Sequence, residues 1–596
     1  MGLGDSNGGI TVEESLLELG TCRTPQIMNF LKIRICWVPW LTLLMGLLAF
    51  WAWAGARTLA PGHIGWIMSG VDTAQQYLGW QFFRQTPWWQ WPLGANLAYG
   101  SDAPGSIVLA DCIPLVALPL KALAHWLPKN FQYLGLWALA CFLLQAWFAR
   151  KLLQRLTDDA VIQLAGTAFF LSASIFLVRV YLHPALAAQW LLLAGFCLVL
   201  DKRFRALPWL SLLCIAVLVH AYLFVMLAAL WAADLTQRLW RSEYIPVRIF
   251  AHAAITVAAV LPLMWAAGYF IPGSTIVAPI RTHLDLLFPF WTGIRGLGEW
   301  SWLLPASDLD ILAYDGFGYL GLGFLLLLAF AICSSIARRL FSSGKIQNIS
   351  VTTSTWIILT GVCSVLFVYA LGNKIYFAQK LLFAYPLPGW LERLYGTFRG
   401  AARMMWPLWY LLLITAIFLL LRGVRLRYAR YVIVLCVLIQ LGDLSKAAVD
   451  IRAATAKNQS WHSVLGAPVW SELAAHYRHV VYLQPSGFPA GMLTFMSSYR
   501  DVADYAATHD LTINVAYLAR EDDQRIAAER SIRIGLLMKG QVEPSTFYVV
   551  ADDPLWAKLI CVPGSTQWYG TIDGLQLVVP EPPSSLQPMA RATCGK

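Results

Sequence analysis

Acids, arginines and one histidine recur at the edges of long apolar runs in this chain. Asp72 lies in SGVDTAQQYLGWQFF (69–83), just after one such run, and Asp102 and Asp111 follow before the next. Asp315 sits in YDGFGYLGLG, Arg179 and His183 in RVYLHPALAAQW, and Arg399 and Arg403 in FRGAARMMWP. Two chemistries suit these residue types. A carboxylate buried beside aromatics has a raised pKa and can act as a general base. Arginines close to lipid ask for an anion, and the paired donors of a guanidinium match a phosphate.

Each residue also has a plainer reading. V-D-T-A-Q makes Asp72 a helix N-cap, with Gln75 three residues on in a variant of the capping box. Tyr77, Trp80, Trp88 and Trp89 would then anchor an interfacial helix. Asp315 could cap a span that begins at Gly316. The arginines could snorkel to headgroups, and His183 could be a helix-end residue.

The elements that carry these residues follow from composition. Of 596 residues 58% are hydrophobic and only 13% are charged, about half the charged share of a soluble domain. Repeated apolar runs near 20 residues predict a polytopic α-helical membrane protein. The 28 Trp fit interfacial belts. The net charge of +11 does not argue for nucleic acid. Lys and Arg concentrate in short loops, at 150–155, 201–205, 238–248, 337–345 and 422–430, where they set orientation.

With those loops cytoplasmic, eleven spans fall at roughly 36–57, 130–150, 160–180, 184–200, 206–219, 221–237, 248–270, 316–337, 353–372, 403–421 and 429–446. Residues 1–35 then lie inside, and the membrane module 36–446 has outer loops at 58–129, 271–315 and 373–402. The stretch 106–127 carries Asp111, Pro114 and Pro119, which suit a lipid-facing helix poorly, so it reads as re-entrant or interface-lying. His220 marks a break between two short runs. The first run is too long for a signal-peptide core and reads as a retained anchor.

The tail 447–596 reads as an extracytoplasmic domain. VVYLQP (480–485), INVAYLA (513–519) and TFYVVAD (546–552) look like buried strands, with a helix over 521–537, which predicts a small α/β sheet. It shows no Gly-rich phosphate loop, H-E-x-x-H or G-x-S-x-G, so a binding or structural role is expected. None of the 11 Cys forms a C-x-x-C pair. Cys561 and Cys594 could form a disulfide in an oxidising compartment.

An acid soon after the first span, a large first outer loop, many spans and a soluble C-terminal domain together resemble the GT-C superfamily of membrane glycosyltransferases. More closely, GVDTAQQYLGWQFFR, DCIPLVALPLK, FQYLGLW, LHPALAAQWLLL, YDGFGYLGLG and FRGAARMMWP are similar to bacterial membrane proteins of the DUF6311 type, over roughly residues 36–446. The resemblance implies a multi-pass inner-membrane enzyme that uses a polyprenyl-phosphate-linked sugar donor. The acceptor would be an envelope glycan, lipid or protein. Asp72 would be the general base. Arg399, Arg403, Arg179 and His183 would hold the donor phosphate, and Tyr77, Trp80, Trp88 and Trp89 would stack on sugar. Many GT-C enzymes pair two acids in the first loop, whereas Val71 and Thr73 flank a lone Asp72 here. Asp111 or Asp315 would supply the second carboxylate, with Asp102 a further positioning candidate, and the need for a divalent cation (Mg or Mn) is open.

Two other classes compete. A transporter or flippase should carry ionisable groups at mid-membrane, and the predicted spans are nearly clean of acids. A non-catalytic envelope-assembly protein would rely on its C-terminal domain.

Overall fold

The computed structural model describes residues 37–271, 284–295, 298–341, 352–457, 461–485, 493, 496–563, 566–587, 589, 591–592 and 594. The chain is mostly helical, with sheet concentrated near the C-terminus. The predicted segment 1–35 and parts of the 271–315 loop lie outside the described residues.

Among the described residues, five helices are long and apolar enough to cross a membrane: Leu134–Leu153, Pro246–Ala267, Leu322–Leu340, Thr353–Leu371 and Ala401–Gly423. The number is seven if each of two bent pairs counts as one span. Ala160–Leu171 and Ser174–Leu182 meet at 45°, and Leu426–Asp443 and Ser445–Ala456 at 46°. Trp37–Trp53, Pro184–Val199 and Ala206–Val219 are apolar but shorter. They occupy positions where the sequence predicts further spans. The structure therefore supports five to seven candidate spans, a coarser statement than the eleven predicted. The Pro246–Ala267 helix turns Val247, Phe250, Ile255, Val257 and Leu261 outward, as a lipid-facing surface would.

The basic loops gather at one end of the bundle. Arg155 and Arg205 both pair with Asp201, whose carbonyl also accepts from Arg238. Arg238 pairs with Asp234 and Glu243, Arg241 bonds Ser354, and Arg430 pairs with Asp159. Those contacts occupy the cations, which satisfy local acids and helix ends.

The opposite end carries the long loops. Within the 106–127 stretch only Pro114–Ala122 is α-helical, nine residues. At 1.5 Å per residue it extends about 14 Å, half of a hydrocarbon core of about 30 Å. It cannot span. Its Lys121 turns inward and donates to Thr86 Oγ1 at 2.6 Å and the Pro87 carbonyl at 3.0 Å.

The C-terminal domain contains a five-stranded sheet in the order Thr512–Ile513, His479–Leu483, Thr546–Val550, Leu575–Val579, Trp568–Ile572. The first three strands are parallel and the last two antiparallel to their neighbours. The predicted strand 513–519 ends at Ile513. Its backbone then bonds the membrane module instead: the Ile513 carbonyl accepts from Gly100 and Ser101, and the Asn514 carbonyl from Asp102. The predicted 521–537 helix runs Asp523–Leu537, with Asp522 as its N-cap. The last hairpin turns at Asp573–Gly574, both at positive φ, and such a D-G pair between β-rich runs is a hairpin signal. Cys561 and Cys594 are bonded to each other.

Candidate active site

Asp72 is the first residue of the helix Asp72–Phe83, and the N-cap position belongs to Val71. The capping reading is therefore corrected. Its carboxylate accepts from two tyrosines, Tyr314 Oη at 3.5 Å and Tyr517 Oη at 3.3 Å. Gln75 does not reach back to the helix start and donates to the Leu109 carbonyl at 3.0 Å. Burial, then the nearby carboxylates, push both phenols far above their ordinary value, so both remain donors. Among the described residues no cation makes an ion pair with Asp72.

Tyr314 leads directly to Asp315. This acid pairs with Arg179 Nη1 at 3.0 Å and with Arg403 Nε at 2.8 Å. Capping by Asp315 and snorkelling by Arg179 and Arg403 are thus corrected: all three turn inward. Arg179 is fully buried, with its guanidinium 5.3 Å from the Tyr314 ring centroid and 5.5 Å from that of Trp406. Arg403 lies 4.9 Å over Tyr222. Burial alone would raise the Asp315 pKa, but Arg403 and Arg179 outweigh it and hold the carboxyl low. Two guanidiniums against one carboxylate leave one unit of positive charge. A Cβ on Gly400 would meet Arg403 Nε and Asp315 Oδ2 at 2.9 Å each, so the cluster needs a glycine there.

Asp111 joins two histidines. His183 Nε2 lies 3.2 Å from one of its oxygens and His220 Nε2 3.3 Å from the other. A Cβ on Gly79 would clash with Ala110 and Cys112 at 2.6 Å; the bare glycine lets this turn sit against the Asp72 helix. Burial would raise the Asp111 pKa, and the bonds from His183 and His220 override it and keep the carboxylate ionised.

The donor atoms of Asp111, His183 and His220 all lie within 4.8 Å of one another. Two imidazoles and a carboxylate would suit a transition ion better than Mg. The hydrogen bonds disagree with that use. His220 Nδ1 accepts from the Tyr222 amide at 3.2 Å, so a neutral ring carries its proton on Nε2, the nitrogen 3.3 Å from Asp111. A metal-bound histidine has the reverse arrangement, donating from the remote nitrogen. The residues as placed fit a carboxylate holding two imidazoles.

A family model described as a domain of unknown function, DUF6311, matches residues 43–445. The chain belongs to the DUF6311 family. The DUF6311 C-terminal domain matches residues 469–580, and no curated protein matches. Both DUF6311 segments build the site: Asp72, Asp111 and Asp315 come from the first, Tyr517 from the second.

The remaining predicted residues divide. Arg399 is half-buried and within electrostatic reach of Tyr222 and Tyr517. Asp102 lies instead at the domain junction, bonded to Arg533 Nη1 at 2.6 Å and Asn514 Nδ2 at 3.0 Å. Tyr77 and Trp80 are core residues; Trp80 donates to the Phe131 carbonyl and packs edge-on against Tyr133. With their faces covered they do not offer a sugar platform. Trp88 and Trp89 are exposed. The DUF6311 site also contains His220, Tyr222, Tyr314 and Tyr517, which the sequence reading does not assign. His220 had a signal, the break it makes between two apolar runs. Tyr314 adjoins Asp315. Tyr517 looks like any strand residue, and only the fold reveals it.

Proposed function

We propose that this chain is an integral-membrane glycosyltransferase of the GT-C type, with Asp72 as general base. The observation that carries the reading is Asp72 itself: a half-buried carboxylate held by two phenols, with no ion-pairing cation among the described residues, next to a cluster of net positive charge.

The donor is a polyprenyl-phosphate-linked sugar. Asp72 takes the proton from an acceptor hydroxyl, whose oxygen forms a bond to the sugar C1. The bond from C1 to the phosphate oxygen breaks, and polyprenyl phosphate leaves with the electron pair. A single backside attack inverts the anomeric centre, as in inverting glycosidases. The net charge of the Arg179–Asp315–Arg403 cluster favours the departing phosphate. The two tyrosines orient the base.

The proposal includes eleven spans in a bacterial inner membrane. The gathering of basic loops at one end of the bundle supports placing that end in the cytoplasm. The site and the C-terminal domain then face outward, where an envelope glycan, lipid or protein is the acceptor. The test supplies polyprenyl-phosphate sugars to isolated membranes with envelope acceptor and follows transfer. Asp72→Asn at matched expression should reduce transfer by at least 100-fold, in the range of a lost general base. Unchanged transfer in the Asn variant would overturn the role of Asp72.

A further inference from the structure

We propose that residues 374–397 form a lipid-binding surface that seats in the headgroup layer of the bilayer, at the end of the bundle that carries the long loops. The segment is a hairpin, Lys374–Phe377 with Lys380–Ala384, followed by the helix Gly389–Thr397. Hydropathy alone leaves these residues in a loop outside the membrane; their exposed surface puts them at its boundary. The claim is independent of any sugar transfer.

Leu381, Leu382 and Phe383 follow one another on the second strand and are 51%, 56% and 56% exposed. Successive strand residues point to opposite faces, so both faces of this strand are open. On the helix, Trp390 and Leu394 lie one turn apart on one face and are 69% and 40% exposed. Tyr395 turns inward and stacks on Tyr369, with ring centroids 4.3 Å apart. A fixed scaffold holds these apolar side chains out. At the hairpin tip the Gln379 amide donates to Asp285 Oδ2 at 2.6 Å, and Gln379 Oε1 accepts from the Asp310 amide at 2.9 Å. At its base Tyr385 Oη donates to the Gly372 carbonyl at 2.7 Å, and Tyr395 Oη donates to the Tyr369 carbonyl at 2.8 Å.

Three observations commit this surface to lipid. Tyr369 lies in the last turn of the candidate span Thr353–Leu371, whose Val365 and Val368 are exposed as lipid-facing residues would be. The apolar surface thus runs from the end of a span into the segment that follows it. Lys374, Lys380 and Arg393 stand against the single acid Glu392, all four exposed, a surplus that suits lipid phosphates at the membrane surface. The outer edge of Lys380–Ala384 pairs with no further strand among the described residues. Such open backbone groups exclude the hydrocarbon core and suit the headgroup layer, as does an indole N–H. The helix then leads into the cluster of charges. Phe398 packs edge-on against Tyr222 at 5.3 Å between centroids, and the Gly400 amide donates to Tyr222 Oη at 2.7 Å. The seat in the headgroup layer thereby sets the depth at which the Arg179–Asp315–Arg403 cluster lies beside the bilayer.

The experiment uses the full chain in nanodiscs of phosphatidylcholine and phosphatidylglycerol. A trace of phosphatidylcholine carries a diazirine either near the carbonyl end or at the methyl end of one acyl chain. After photolysis, adducts are mapped by peptide mass spectrometry, with the exposed face of Pro246–Ala267 as the reference for lipid contact. The carbonyl-end probe should label 380–394 as heavily as that face, and the methyl-end probe about threefold less or weaker still. The double variant Leu382→Glu, Trp390→Glu should lose most of the adducts on the segment at an unchanged melting temperature. Should it fail to fold, the two wild-type maps decide. A segment without adducts beside a labelled Pro246–Ala267 helix overturns the proposal, and two chains per disc would then assign the surface to a second copy. Equal labelling by both probes overturns the headgroup depth, and undiminished labelling of the double variant overturns the role of these side chains.

Discussion

Asp315 shows how far a residue's role depends on partners it cannot announce. Its type and position near a span are visible in the sequence, as are those of Arg179 and Arg403. Their mutual pairing is not, because the acid lies 88 residues from one arginine and 136 from the other. Phosphate binding was the natural reading of two arginines near lipid; the fold shows them already sharing one carboxylate. Asp315→Asn would leave two buried guanidiniums facing each other. We expect it to lose about 3–5 kcal/mol of stability, as when one partner of a buried pair is removed, measured by denaturant unfolding in detergent. Gly400→Ala should cost about 1–3 kcal/mol through overcrowding of the same pair. A wild-type unfolding curve for Asp315→Asn would mean the cluster is not formed as described.

The element that matters most is the short helix Asp72–Phe83. Its hydrophobic and polar residues alike are buried, from Thr73 to Phe83, which periodicity could not foretell because no face is left for solvent. The helix Ser497–Thr508 of the C-terminal domain contributes to this, placing Asp504 within electrostatic reach of Tyr77. Burial, and then Asp501, raise the Asp504 carboxyl to about 7. The folded form therefore holds this proton when the unfolded form has lost it. Its contribution to stability is lost as pH rises from about 4, the ordinary Asp value, through about 7, and is flat above. Asp504→Asn should remove that slope from a melting-temperature profile over this window; an identical profile in the variant would contradict the assignment. Elsewhere the sequence signals were uneven. The tail's parallel strands were legible as β-branched runs, while the D-G hairpin at its end went unread although its turn residues were plain.

At the scale of the whole molecule, two matched family segments act as one unit. The first loop's residues 98–102 pair with Ile513 and Asn514 along the sheet edge, Tyr99 meets Tyr499, and Asp102 holds Arg533. Helical class and a separate α/β tail were readable from hydropathy and strand patterns. The docking was not, since it depends on backbone groups, which have no sequence signature. Asp102→Asn should speed amide exchange across 98–102 and 513–519, read by hydrogen–deuterium mass spectrometry. Unaltered exchange would show that the Asp102–Arg533 pair does not hold the domains together.

That sheet-edge pairing has a consequence in time. The loop that supplies half of it emerges from the ribosome some 400 residues before Ile513. Throughout that interval the newly inserted loop has unanswered backbone donors and acceptors, and Asp72 lacks one of its two phenols. The contacts around Asp72 can close only near the end of translation, so a chain that terminates early leaves them incomplete. Full-length synthesis is in effect the last step in assembling the surroundings of Asp72.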